Sequence, residues 1–262
     1  MEKQSRIKWI DTAKFLGIVA IYLGHIGYLG KCGNVTPYYN EIITFVFWYH
    51  VPFFFFLSGC MSNYDNEKNY FKYAWKKFKS LIIPLWCFSL LSVVVYFIFI
   101  KFDIRLLSGF LLDILKGNIR NQFIAYPLWF ISCLFVMEMM FKLIKYLKNR
   151  ILILIICIAI YLVDINYINQ TPSMIYNIDS AYYYIIYFGL GYAVYPYINK
   201  LFQSKKIIIK IACILSGILC LIYAIYLFKG TRILSIFNCV PYLHKFYPVI
   251  TASILIWLNL VI

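Results

Sequence analysis

The chain has 262 residues, 63% of them hydrophobic and 21% aromatic, and only 13% charged. Soluble domains average about 45–50% apolar and about 25% charged residues, so a mean hydropathy of +0.78 excludes a soluble enzyme, a disordered chain and a disulfide-stapled secreted domain. The net charge of +15, from 25 Lys and Arg against 10 Asp and Glu, suits nucleic acid or anionic lipid; the basic residues fall between hydrophobic runs, which selects the membrane.

A helix needs about 20 residues to cross about 30 Å of hydrocarbon. That window predicts eight spans, approximately Ala13–Leu29, Ile42–Met61, Leu81–Ile100, Pro127–Leu147, Ile151–Ile168, Ala181–Ile198, Ile207–Phe228 and Phe246–Ile262. Asp164 and Asn166 interrupt the fifth. None alternates as a barrel strand would, so the expected fold is all-α, a polytopic helical bundle. The first run holds Lys14 and His25 and no small-residue cleavage site, so it reads as a retained helix. With the N-terminus inside, inner segments hold 16 Lys and Arg and outer ones 8, a bias that favours a cytoplasmic N-terminus. The longest connection, Lys101–Tyr126, is mixed in charge and suits a short amphipathic helix. One membrane domain, residues 1–262, is expected. Six cysteines lie in apolar runs and read as small hydrophobes. Cys32 and Cys239 fall in outer loops and could pair, while three distant histidines and no Cys-x-x-Cys argue against a metal site.

Ionisable groups inside a span cost several kcal/mol and are candidates for function. In the first helix, Lys14 and His25 are eleven residues apart, three turns plus about 20°, so they share a face roughly 16 Å apart. Asp11 precedes Lys14 by one turn and can pair with it or cap the helix. Gly17 and Gly24 share that side approximately and would admit a neighbouring helix or an extended ligand. The plain alternatives are a snorkelling Lys14, a merely capping Asp11 and a core-bonded His25.

In the second helix Pro52 removes a backbone donor near His50 and predicts a kink. At least two of the four phenylalanines Phe53–Phe56 must face lipid or another helix, and Ser58-Gly59 offers a small surface. The basic run at Lys76, Lys77 and Lys79 leads into the third span, as the positive-inside rule alone would place it, or as an anion site where cations converge at a helix start. In the fourth span Trp129 suits an interface anchor, and Glu138 with Lys142 one turn later predicts an intrahelical ion pair.

The stretches RIKWIDTAKFLGIVAIYLGHI, WYHVPFFFFLSG, KKFKSLIIPLW, PLWFISCLF and FGLGYAVYP, in that order over residues 6–197, resemble acyltransferase family 3, most closely its fucose O-acetylase-related branch. The resemblance implies a polytopic cell-membrane enzyme that moves an acetyl group from cytosolic acetyl-CoA to hydroxyls of a surface or lipid-linked carbohydrate, with no metal and no nucleic-acid partner. The family pairs a basic residue with a histidine after ten positions, matched by Lys14 and His25. His25, with His50 and Asp11, is then expected at the catalytic centre. Lys14, Lys76, Lys77, Lys79, Gly17 and Gly24 are expected on the donor side, and Ser58, Trp129 and Glu138 at the acceptor. His25 would act as general base or carry the acetyl group covalently, with the pantetheine arm threading along the glycine-lined face. The family usually has about ten helices, so eight imply a truncated or minimal member. Transfer of another acyl group such as succinyl, a transporter or glycan-export role and an inactive scaffold are the alternatives.

Overall fold

A computed structural model describes residues 7–30, 39–99, 103–117, 126–168, 174–228 and 243–261. Among the described residues all regular structure is helical. The chain forms α1 (Lys8–Gly30), α2 (Tyr39–Ser62), α3 (Tyr70–Lys77), a π-helical segment (Phe78–Ile82), α4 (Ile83–Phe99), α5 (Ile104–Lys116), α6 (Trp129–Lys145), α7 (Arg150–Tyr167), α8 (Ile178–Gln203), α9 (Ile207–Phe228) and α10 (Leu243–Val261). Each of the eight expected spans is met by a long helix, and the chain is an all-α membrane protein. Tyr70–Phe99, Tyr126–Lys145 and Arg150–Tyr167 are long and apolar enough to cross a bilayer outright. The proposed partners Cys32 and Cys239 lie outside the described residues; Cys60, Cys133 and Cys157 are buried free thiols.

Local chemistry fixes the ends. The Asn69 side chain accepts from Lys72 N at 3.0 Å and starts α3. Asp103 accepts from Arg105 N at 2.8 Å and starts α5, the amphipathic helix expected between the third and fourth spans. Gly117 ends α5 in the left-handed region, at φ 62°, where a side chain would also strike the Tyr176 ring at 2.7 Å. Asn149 caps α7 through Ile151 N and Leu152 N. Despite Asp164 and Asn166, α7 runs unbroken, since Asp164 is buried and the Asn166 amide folds back to the Leu162 carbonyl.

Two units divide the chain, one of Met1–Asn63 with Leu190–Ile262 and the other of Tyr64–Gly189. In the first, α1 pairs with α2, and α10 packs on α2, α9 and α1. Gly17 lies against Phe53 and Phe54, and Gly24 against Val46 and Phe47, so α1 and α2 run antiparallel. Gly191 meets the α2 backbone itself, and Cys60 Sγ donates to its carbonyl at 3.4 Å. Trp9 of α1 donates to Asn199 Oδ1 at 3.2 Å and stacks on Tyr195.

In the second unit α3 passes through the π-helical segment into α4. Pro84 has no N–H and its ring crowds the carbonyl four residues back; the wider π turn just before it relieves both. One extra residue per turn also rotates the helix face by about 100°. That rotation lets the buried positions of α3, Tyr73 and half-buried Lys77, continue into Ile82, Leu85, Ser89 and Val93. Helix α7 buries Ile153, Cys157, Tyr161 and Asp164 as one stripe, with Cys157 against Gly189 and Tyr161 against Tyr183.

Candidate functional site

The histidines of the first unit come together. His50 is buried in α2, and its Nδ1 lies 2.9 Å from the Val46 carbonyl one turn earlier. A carbonyl only accepts, so Nδ1 carries the proton and the neutral ring keeps its lone pair on Nε2. Pro52 supplies no N–H to this turn. The His25 ring, half-buried on α1, stands edge-on to His50 with centroids 6.2 Å apart, and Phe47 packs edge-on against both. Two imidazoles thus lie beside one another, each against the same phenylalanine ring.

Lys14 is half-buried and, with His25, borders the buried stripe of Ile10, Ala13, Gly17, Ala20 and Gly24. The expected common face is therefore present. Asp11 is not the cap: α1 begins at Lys8 and the Asp11 N–H reaches the Ile7 carbonyl at 3.3 Å. It sits in the first turn, where a carboxylate suits the helix dipole.

Of the two occupants expected for the glycine face, a neighbouring helix or an extended ligand, the structure shows the helix. A Cβ at Gly17 would lie 2.8 Å from the Phe54 ring, and one at Gly24 3.2 Å from Val46. Helix α2 packs on this face, so the two glycines serve the α1–α2 contact. Phe53, Phe55 and Phe56 are buried and Phe54 is half-buried, so the aromatic run serves helix packing. The half-buried Ser58 hydroxyl donates to the Phe54 carbonyl at 2.9 Å.

In the second unit the charges pair between elements instead of along α6. Glu138, buried in mid-helix, accepts from Lys77 Nζ at 2.5 Å and from the Tyr73 hydroxyl. Lys142 donates to Asp65 Oδ2 at 2.5 Å and to the Glu67 carbonyl, with its ammonium 4.4 Å from the Tyr73 ring centre. Lys145 adds a bond to the Asp65 carbonyl at 3.1 Å. The expected Glu138–Lys142 pair is thus replaced, because each finds an opposite charge on the segment that α6 packs against. Outside the span, the Asn69 N–H at 3.1 Å holds the Glu67 carboxyl below the usual carboxylate range, with Lys72 helping.

The expected anion site at a helix start also changes. Lys76, Lys77 and Lys79 lie in mid-helix, since Tyr70–Phe99 is continuous; their backbone N–H groups belong to the helix and offer an anion nothing. Lys77 turns inward to Glu138, while Lys76 and Lys79 are exposed. Trp129, expected as an interface anchor, is buried against Tyr184 with ring centres 6.1 Å apart. Sequence reasoning passed over Tyr73 and Asp65. Tyr73 is one turn from Lys77, the one spacing that could have marked it.

A family model described as an acyltransferase domain matches residues 7–261. No curated protein and no solved structure matches the chain.

Proposed function

The chain belongs to the acyltransferase family whose model spans it, and from this we propose that it is an O-acyltransferase of the cell membrane, moving an acetyl group from cytosolic acetyl-CoA to a hydroxyl of a surface or lipid-linked carbohydrate. The observation that carries the chemistry is the His25–His50 pair, with His50 fixed through Nδ1. A base must hold a lone pair near the reacting hydroxyl at neutral pH, and imidazole does so. His25 takes the hydroxyl proton as that oxygen attacks the thioester carbonyl. The C–S bond then breaks, and the imidazolium returns the proton to the departing thiolate. His50 orients His25 and lends its Nε2 to the same site.

With the N-terminus cytoplasmic, Lys14 lies roughly 16 Å inward of His25, about the reach of a pantetheine arm, and attracts the donor phosphates. Lys77 is neutralised by Glu138, so it takes no part in donor binding in this reading. Ser58, on α2 with His50, remains a candidate for the acceptor side.

Purified protein in proteoliposomes, supplied with radiolabelled acetyl-CoA and a carbohydrate acceptor, tests the assignment. Label should enter the acceptor as an alkali-labile ester with wild type, and fall at least about 100-fold in His25→Ala, within the usual range for loss of a general base. Equal labelling by His25→Ala removes the proposal.

A further inference from the structure

The outward face of α3 carries a pattern that the transfer step proposed above does not draw on. Lys72, Lys76 and Lys79 recur at i, i+4 and i+7, so they form one stripe, and all three are exposed. Trp75 lies among them, 58% exposed, and Phe71 beside them is 82% exposed. Trp75 stacks on Phe78 with planes 7° apart, and the Lys79 ammonium rests 5.7 Å from the Trp75 ring centre. Lys72 has a second neighbour in Glu67, at 3.6 Å.

Beyond the π-helical segment the same helix exposes Ile83, Leu90, Leu91, Val94 and Ile98, a side suited to acyl chains. Lys79 precedes Phe99 by twenty residues, about 30 Å of helix, the thickness of the hydrocarbon layer. The lysine stripe therefore begins where the hydrocarbon ends, and the inward-turned Lys77–Glu138 pair holds the helix in that rotation. Exposed cations at this depth face phosphate, and exposed aromatic rings favour the same interfacial zone.

We propose that Lys72, Lys76, Lys79 and Trp75 form a docking surface for the headgroups of anionic phospholipids. Positive charge meets negative charge, the rings sit at the acyl boundary, and no further protein partner is required. Each lysine near an anionic surface contributes about a fivefold preference.

The test uses the full chain in vesicles holding phosphatidylcholine and phosphatidylglycerol, with one lipid brominated on its acyl chains at a time. Trp75 quenching is isolated by subtracting the signal of Trp75→Phe. Brominated phosphatidylglycerol should quench at least about fivefold more effectively than brominated phosphatidylcholine at equal mole fraction. The preference should vanish in Lys72→Gln/Lys76→Gln/Lys79→Gln and persist in Lys205→Gln/Lys206→Gln/Lys210→Gln, which removes three exposed lysines elsewhere. Equal quenching by both lipids in the wild type, or an unchanged preference in the first triple variant, overturns the proposal. So does loss of the preference on adding coenzyme A, which would assign the stripe to a soluble phosphate ligand. None of these readouts depends on acetyl transfer.

Discussion

Gly191→Ala tests the packing of the first unit at its tightest point. A Cβ there would lie 2.0 Å from the Phe56 carbonyl oxygen, 2.8 Å from its carbon and 3.1 Å from Cys60 N, all backbone atoms. No side chain can swing aside, so α8 must retreat from α2 by roughly an ångström, which a close-packed interior resists. Overpacking that side chains absorb costs about 1–3 kcal/mol. Here the retreat also threatens Cys60 Sγ to Gly191 O at 3.4 Å and Asn63 Nδ2 to Tyr192 O at 3.3 Å. Against this, alanine gains about 1 kcal/mol of helix propensity. The net loss should be about 3 kcal/mol, or roughly 6–10 °C in Tm for a chain of this size. Gly189→Ala meets side chains alone, Cys157 at 2.7 Å and Leu154 at 3.8 Å, and should lose less. Gly109→Ala meets nothing within 4 Å and should gain up to about 1 kcal/mol. Thermal unfolding in detergent, followed by monodisperse elution after heating, ranks the three variants. A Gly191→Ala protein as stable as wild type would refute the close backbone approach.

Glu138→Gln should destabilise by about 2–3 kcal/mol, below the 3–5 expected of a fully buried pair because the Lys77 side chain is 26% exposed; Tyr73→Phe, losing one hydrogen bond, should cost about 1 kcal/mol. Equal melting temperatures for the two variants would show that Glu138 is not the hub. Asn177 sits at φ 54° with its amide donating to Gly117 O at 3.0 Å and Ser132 Oγ at 2.8 Å. Asn177→Ala should therefore lose about 2–4 kcal/mol, and Asn177→Gly should recover only the backbone share; identical losses in denaturation would contradict the left-handed assignment.

The spans were legible because lipid demands a long apolar run whatever its neighbours, and Ile207–Phe228 is met residue for residue by α9. The amphipathic α5 was legible from the mixed charge of the Lys101–Tyr126 connection, and its ends at Asp103 and Gly117 came only with the structure. Spacing within one helix also placed Lys14 and His25 on one side. Pairing between helices was not legible. Glu138 and Lys142 are ideally spaced for each other, yet each is drawn to Lys77 or Asp65, whose positions depend on how α3 packs on α6. The same limit governs Gly17: its small size announces a close approach, but only the fold says that Phe54 makes it. The π-helical turn before Pro84 was not legible either, and it sets how the buried side of α3 continues into α4.

The measurement that bears most directly on the central claim is acetyl transfer by His50→Asn and His25→Ala, compared in the same vesicles. Asparagine can keep a donor near the Val46 carbonyl while removing Nε2, so the account predicts a folded protein with much reduced turnover. It predicts a deeper loss, at least about 100-fold, in His25→Ala. Wild-type turnover in His25→Ala, with the protein intact in the membrane, would contradict it.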